Sequence, residues 1–172
     1  ATTAGVVSIG GILNAGLNSI QIAMAEFFPD GACIEGPGYW GYATTYNFVF
    51  FAALESALGT DFKLATLPGV EQTGWYPIYM SSPSGETFNY ADSGSGRVRG
   101  AQLFWLARRF QQPVFAWFEA QNERPHPLDL IWHSPTQTDP VAAGIPLDKY
   151  FRDSEAVTLR GSWTDANATF VG

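Results

Sequence analysis

The chain has 172 residues, of which 46% are hydrophobic and only 15% are charged. This length is enough for one domain with a hydrophobic core, and the charged fraction is below the roughly 25% typical of soluble domains. The formal net charge of −7 argues against a nucleic-acid-binding protein, which needs a basic surface. Every apolar segment is broken by Gly or polar residues before the roughly 20 residues that span a membrane, so no membrane partner is expected. Cys33 is the only cysteine, which excludes an intrachain disulfide.

Two apolar segments predict a pair of helices in the first third of the chain. Residues 11–28 place apolar side chains at three- and four-residue steps, and the Pro-Asp-Gly sequence that follows is expected to end this helix. Residues 42–58 predict a second helix, with Gly59 as its C-terminal cap. Phe48 and Phe51 make a further side of the second helix apolar, which predicts burial on most sides.

A β-hairpin is predicted after this helix pair. Residues 76–80 and 86–90 are rich in strand-forming residues, and a Ser-Pro-Ser-Gly sequence between them is typical of a turn. A Gly/Ser-rich loop then leads to Arg97 and Arg99.

The remaining chain predicts two more helices and a final pair of strands. Residues 100–110 form a third predicted helix, and Pro113 suits the first turn of a fourth. Residues 125–146 contain five prolines and are interpreted as a surface linker. Residues 157–163 and 168–171 predict two strands joined by a turn.

The loop that joins the first two helices is the richest candidate for a functional site. It contains four glycines and two prolines before residue 42, which predicts an irregular backbone rather than ordinary helix. Loops dense in polar and aromatic groups often carry function. This one presents two carboxylates, two phenols and an indole, from Asp30, Glu35, Tyr39, Tyr42 and Trp40. An interhelical turn with aromatics packed on the core is the alternative interpretation.

The same loop resembles a segment of a known enzyme family. Asp30-Gly31, followed by Glu35-Gly36-Pro37-Gly38-Tyr39-Trp40-Gly41-Tyr42-Ala43, resembles the segment of heparinase II/III-like polysaccharide lyases that carries their catalytic tyrosine. The resemblance continues in collinear order over most of the chain, through Tyr46-Asn47, Ala52-Ala53-Leu54-Glu55, Phe88-Asn89-Tyr90-Ala91-Asp92, residues 104–110 (FWLARRF), residues 147–151 (LDKYF), Gly161-Ser162-Trp163 and residues 168–172 (ATFVG).

This resemblance implies a fold and a domain division. The fold would be mainly α: part of an α/α toroid, with a β-hairpin insertion and a short C-terminal β-hairpin. Residues 1–146 would form the C-terminal portion of the toroid, and residues 147–172 would begin an antiparallel β-sandwich. A periplasmic or secreted bacterial location is also implied.

Lyases of this kind cleave the bond next to a uronic acid by β-elimination. The reaction requires neutralisation of the uronate carboxylate, a base for the adjacent C–H, and an acid for the leaving oxygen. A tyrosine suits the last role because its reference pKa of about 10 keeps it protonated at neutral pH. The resemblance assigns Tyr39 as the catalytic residue, with Tyr42 as the alternative three residues later. Substrate contacts are expected from Tyr42, Glu35, Trp40, Arg97 and Arg99.

The expected partner is an acidic polysaccharide or oligosaccharide, and no cofactor or metal is expected. To bind an acidic sugar, a local basic groove would have to offset the negative net charge of the chain. The candidate residues for this groove are Lys63, Arg97, Arg99, Arg108, Arg109 and Arg124. His126 and His133 are interpreted as surface or hinge residues. The family's neutralising Asn or His has no match here. We therefore expect the segment to be part of a larger lyase, inactive alone, and to self-associate through exposed apolar faces at Phe48 and Phe51.

Two other functions remain open at this stage. A toroidal glycoside hydrolase would use Asp30 and Glu35, with the two carboxylates facing each other across a cleft. A non-catalytic carbohydrate-binding module would use Trp40, Trp75 and Trp105 as stacking surfaces. Formation of an unsaturated uronate would distinguish a lyase from both.

Overall fold

The computed structural model describes residues 8–98, 100–122 and 126–172. Within these ranges the chain is mainly helical, with six α-helices followed by a small three-stranded antiparallel sheet. None of the helices in this part of the chain is long and apolar enough to cross a lipid bilayer.

Helix α1, Ile9–Met24, begins at Ser8, whose side-chain oxygen accepts a hydrogen bond from the Gly11 N–H. A 3₁₀ turn over Ala25–Phe27 extends it, so the predicted helix is confirmed to within a turn. Within α1 only Met24 is fully buried. Large apolar side chains on its surface are exposed, among them Ile9, Ile12 and Ile22.

Helix α2 spans Pro37–Leu58 and ends at Gly59, which adopts the predicted left-handed cap conformation with φ of 71°. The helix begins at Pro37 rather than at residue 42, so the expectation of an irregular backbone up to Tyr42 is wrong. Pro37 occupies the first turn, where its fixed φ favours the helix and its missing N–H costs no hydrogen bond. Tyr39 and Tyr42 are therefore helical residues.

The predicted hairpin after α2 is wrong in its first strand. Residues 75–80 form helix α3, Trp75–Met80, and the five residues from Tyr76 onward are all buried. Successive side chains of a strand point to opposite faces of the sheet, whereas a short helix surrounded by other elements can bury every side chain. Pro77 lies in the first turn, where it breaks no helical hydrogen bond. A short remnant of the hairpin is present: a bridge joins Ser81 and Thr87, and the N–H groups of Ser82 and Phe88 donate to the carbonyls of Glu86 and Met80.

The next two predicted helices are confirmed as α4, Gln102–Phe110, and α5, Pro113–Ala120. The predicted linker is wrong in part, because it contains helix α6, Pro127–Trp132. The His126 side chain accepts a hydrogen bond from the Leu128 N–H at the start of α6. Trp132 anchors its other end in the core.

The sheet consists of β1, Lys149–Phe151, β2, Ala156–Arg160, and β3, Phe170–Val171, in that order. Both predicted strands are confirmed as β2 and β3. β2 begins one residue before the predicted start and ends three residues earlier, and β3 covers half of its predicted range; β1 was not predicted. Phe151 is fully buried and makes edge-to-face contacts with Tyr76 and Tyr79 of α3. The sheet therefore packs on the helices, while the division of the chain at residue 146 stays a prediction.

Phe48 and Phe51 lie in the core and are both fully buried. Their rings contact each other and the ring of Trp105 on α4. The expectation that they form exposed faces is wrong, because α4 covers that side of α2. Self-association stays a prediction, and exposed apolar side chains that could support it lie on α1 instead.

Candidate active site

The loop between α1 and α2 is held by hydrogen bonds from three other parts of the chain. Thr73 Oγ1 donates to the Gly31 carbonyl at 2.8 Å and accepts from Trp40 Nε1 at 2.7 Å. The hydroxyls of Tyr76 and Tyr90 both lie within hydrogen-bond distance of the Cys33 carbonyl, at 2.9 and 2.8 Å. These contacts hold the loop in a single conformation against α3 and the segment that follows it.

The first turn of α2 is fixed by Gly36 and Ser93. Gly36 has φ of 92°, a left-handed conformation that favours glycine, and a Cβ there would lie 2.7 Å from the Tyr90 carbonyl oxygen. The Gly38 N–H, which has no partner within the helix, donates to Ser93 Oγ at 2.9 Å. The start of α2 is therefore positioned by residues more than fifty positions away in sequence.

Tyr39 lies on this fixed first turn with an exposed side chain. Its residue exposure is 43%, and those of Tyr42 and Tyr46 are 65% and 63%. Spacings of three and four residues place the three phenols on one side of α2, and the rings of Tyr42 and Tyr46 meet edge to face at 5.1 Å. The surface row of phenols formed by Tyr39, Tyr42 and Tyr46 is available to a ligand without any rearrangement of the backbone.

Trp40 cannot contact a substrate, so its predicted binding role is wrong. The residue is fully buried, and its indole N–H is used by Thr73. Because successive helical residues are about 100° apart, neighbours of an exposed Tyr39 can point into the core. Trp40 anchors the turn that presents Tyr39.

The two predicted loop carboxylates lie in different environments. Asp30 is 7% exposed, and its Oδ2 accepts hydrogen bonds from the backbone N and Nε of Arg152 at 3.1 and 3.2 Å. Glu35 is exposed at the surface beside the start of α2. Asp30 thus connects the loop to the end of β1, whereas Glu35 is accessible to a ligand.

Arg97 is exposed, and its Nη2 donates to the Ser84 carbonyl oxygen at 3.2 Å. The structure shows no contact between Arg97 and Tyr39 or Tyr42, so it does not bring the predicted cation and phenols together directly. Arg99 and Arg124 lie outside the described residues. Arg109 is engaged in ion pairs with Glu55 and Asp61.

Arg97 lines two cavities. One, which we call the Arg160 cavity, has a volume of about 350 Å³ and lies between α3, α5 and the sheet. The other, which we call the Gln102 cavity, has a volume of about 530 Å³ and reaches α2 at Thr45. Gln102 donates to the Gly41 carbonyl and to Thr44 Oγ1, joining α4 to the helix that carries the phenols.

The buried acids next to the candidate site are stabilised in their neutral forms. Burial raises the pKa of Tyr76 well above its usual range, and its hydrogen bond with Tyr90 adds to the effect. Burial likewise raises the pKa of Tyr90 and raises that of Cys33 to about 11. The Cys33 thiol is thus kept protonated, which is typical of a structural cysteine rather than a nucleophile.

The histidines give no sign of a metal site. His126 and His133 are both exposed, as predicted, and no group of three His, Cys, Asp or Glu side chains among the described residues could hold a metal ion.

Several residues that shape the candidate site were not predicted. Ser93 lies in a Gly/Ser-rich loop interpreted as flexible, yet it is buried and holds the first turn of α2. Thr73 lies in the segment between α2 and α3, and nothing in its local sequence indicates its hydrogen bond with Trp40. Only tertiary contacts reveal these roles.

No protein-family model matches the chain, and no curated protein matches it significantly. The likeness to heparinase II/III-like lyases therefore depends on the sequence motifs alone.

Proposed function

We propose that this chain carries the tyrosine acid of a polysaccharide lyase, which cleaves a uronic-acid-containing polymer such as alginate or a heparin-like glycosaminoglycan by β-elimination. In this proposal the helices belong to an α/α toroid, and the protein acts in the periplasm or outside the cell. The resemblance of residues 35–43 to the tyrosine segment of such lyases is the starting point.

The observation that carries the proposal is the presentation of Tyr39. Its side chain is exposed on a helical turn whose backbone is fixed by Gly36, by the Ser93 bond to Gly38 and by the buried Trp40. A positioned acid must meet its substrate at a reproducible distance and angle. A turn held from three sides provides this.

The chemistry divides among the exposed groups. A base takes the proton of the C–H next to the uronate carboxylate, and the electron pair of that bond forms the new carbon–carbon double bond. As the bond between the neighbouring carbon and the glycosidic oxygen breaks, Tyr39 donates its proton to that leaving oxygen. No residue is proposed for the base. Tyr42 and Tyr46 offer ring faces and hydroxyls to neighbouring sugar units. The N-terminal end of α2 carries partial positive charge, which favours an anionic group close to it. The resemblance implies an Asn or His that neutralises the uronate carboxylate, and no residue is proposed for that role here.

The structure weakens both alternative functions. A hydrolase that uses Asp30 and Glu35 would need Asp30 open to substrate, but this carboxylate is buried against Arg152. A binding module that uses tryptophan platforms would need exposed indoles, but Trp40 and Trp105 are buried and Trp75 packs on Phe115.

The decisive experiment uses the natural polypeptide that contains this sequence. It is incubated with alginate, heparin and a neutral glucan, and the ultraviolet absorbance of the unsaturated uronate is followed. We expect turnover of an acidic polymer only, and we expect Tyr39→Phe to lower kcat by about 10²–10⁴-fold, because the ring remains but the proton donor is lost.

Tyr42→Phe is the matched control, since it removes a hydroxyl three residues away on the same side of α2. We expect it to change KM more than kcat. Absence of unsaturated product with every uronic-acid polymer would refute the lyase. Near-normal turnover by Tyr39→Phe, combined with loss in Tyr42→Phe, would move the catalytic role to Tyr42.

A further inference from the structure

A buried guanidinium lies at the end of β2. Arg160 is 6% exposed, and its Nη2 donates to the carbonyl oxygens of Ile78 and Tyr79 at 3.3 and 2.6 Å. The guanidinium carbon lies 3.8 Å from the centre of the Trp163 ring. Its Nε has no hydrogen-bond partner among the described residues. The two carbonyl contacts cap the end of α3, but they use only one of the three nitrogens.

No carboxylate of the described residues forms a salt bridge with Arg160. Asp148 is close in space, but its Oδ1 accepts from the backbone N–H of Arg160 rather than from the side chain. Burial lowers the pKa of Arg160 to about 10, so the group is still charged at neutral pH. A buried charge without a direct salt bridge is costly, and Asp148 offsets only part of that cost through space.

The Arg160 cavity lies directly beside this charge. Its walls also include Arg97, the half-buried Trp117, Asn122 and Trp163. Its volume of about 350 Å³ is at the lower end of the range for small-molecule sites. Two guanidinium groups, an amide and indole rings together suit a ligand with both an anionic group and an apolar face. Arginine binds carboxylates through paired N–H donors, and the C–H face of a sugar packs on indole.

We propose that the Arg160 cavity binds a single carboxylate-bearing sugar unit, a uronate, with its carboxylate against Arg160 and Arg97 and its ring against Trp117. The choice of a uronate rests on the proposed function, but binding in this cavity does not require catalysis at Tyr39. Neither Tyr39 nor Tyr42 lines the cavity.

Glu119 also lines the cavity and has to be reconciled with an anionic ligand. Its two carboxylate oxygens accept hydrogen bonds from the Gly100 N–H and from Asn122 Nδ2, both at 3.0 Å. These bonds partly offset the charge of the Glu119 carboxylate. With two guanidinium groups against one carboxylate, the cavity still favours an anion.

The test is a titration of the full chain with glucuronate, followed by tryptophan fluorescence and by calorimetry. Glucose serves as the neutral analogue, and inorganic phosphate serves as an anion without a sugar ring. We expect saturable binding of glucuronate, and affinities for glucose and phosphate that are at least about tenfold weaker. Loss of a hydrogen bond to a charged group has roughly this effect.

Variants assign the binding to this cavity. Arg97→Gln is expected to weaken glucuronate binding about tenfold or more, because this exposed residue donates to Ser84 alone among the described residues and its loss leaves the core intact. Arg160→Lys keeps the charge but loses the planar fork, and the same weakening is expected if its thermal unfolding resembles that of the parent. Arg108→Gln is the control, since Arg108 is exposed and lines neither cavity.

Tyr39→Phe separates this proposal from the proposed function, because it is expected to lower kcat by about 10²–10⁴-fold and leave glucuronate binding unchanged. The cavity proposal is overturned if glucuronate does not bind saturably, if glucose or phosphate binds equally well, or if Arg97→Gln binds like the Arg108→Gln control. Each of these results would leave the lyase chemistry of Tyr39 to be judged by turnover alone.

Discussion

Adjacent residues at the start of α2 have opposite environments. Tyr39 is 43% exposed, whereas Trp40 is fully buried and bonded to Thr73. The motif that contains them therefore combines a group available for chemistry with the anchor that holds it. Cys33 also helps to anchor this turn, since the hydroxyls of two tyrosines lie within hydrogen-bond distance of its carbonyl and its thiol is buried.

The buried Cys33 thiol predicts a loss of stability at alkaline pH. Its pKa is raised from 9.0 to about 11, so between these values the unfolded thiol ionises while the folded thiol stays neutral. The free energy of unfolding should fall by about 1.4 kcal/mol per pH unit in this window, and Tyr76 and Tyr90 should add to the fall at higher pH. Cys33→Ala should make the fall shallower.

Urea unfolding at about pH 8 and about pH 10 measures this effect. Val70→Ala is the control, because Val70 is fully buried but has no titratable group. This variant should lower the free energy of unfolding by the same amount at both pH values. An unchanged pH dependence in Cys33→Ala would contradict the assignment.

At the scale of elements, the start of α2 is set by backbone geometry. Gly36 adopts a φ of 92°, and a Cβ there would lie 2.7 Å from the Tyr90 carbonyl oxygen and 2.9 Å from Ser93 Cβ. Gly36→Ala should therefore displace the segment that holds Gly38 and lower stability by about 1–3 kcal/mol. Turnover should fall as well, since Tyr39 lies on the displaced turn.

Gly94→Ala is the matched control for this substitution. A Cβ at Gly94 meets nothing within 4 Å, so we expect a change in the free energy of unfolding within about 0.5 kcal/mol. Thermal unfolding of the two variants measures the difference. Equal stability of both would show that the segment around Ser93 yields easily and does not position Tyr39.

At the scale of the whole molecule, the sheet and the helices share one core. Phe151 of β1 is fully buried against Tyr76 and Tyr79 of α3. We predict that Phe151→Ala lowers the free energy of unfolding by about 3–5 kcal/mol and that the helices and sheet still unfold in a single transition. Circular dichroism, which reports the helices, and amide hydrogen exchange of β2, recorded on the same urea series, should give coincident midpoints.

Tyr150→Ala provides the control from the neighbouring position of β1. Tyr150 is 53% exposed, so its removal should cost less than about 1 kcal/mol. Separate transitions for the helical signal and for exchange of the β2 amides would show that residues 147–172 behave as an independent unit, as the predicted domain division implies.

Local sequence signals were sufficient where a helix or strand is specified by its own residues. Apolar spacing predicted α1, α2 and α4, Gly59 marked the end of α2, Pro113 marked the first turn of α5, and the alternating C-terminal segments predicted β2 and β3. Each of these signals acts over a few neighbouring residues, through backbone angles and side-chain periodicity. Tyr39 was selected through the resemblance of its motif to a lyase segment, and its catalytic role stays a prediction.

Only the tertiary structure decided which sides of these elements are covered. Residues 76–80 have strand-forming side chains, yet burial on all sides selects a helix, and α4 covers Phe48 and Phe51, which were expected at the surface. Trp40 and Arg160 are buried by segments far away in sequence, so no local pattern indicates the role of either. Whether a side chain is buried depends on packing between segments that are far apart in the sequence. Composition therefore could not show whether Trp40 anchors the helix or binds a ligand, whereas its burial does.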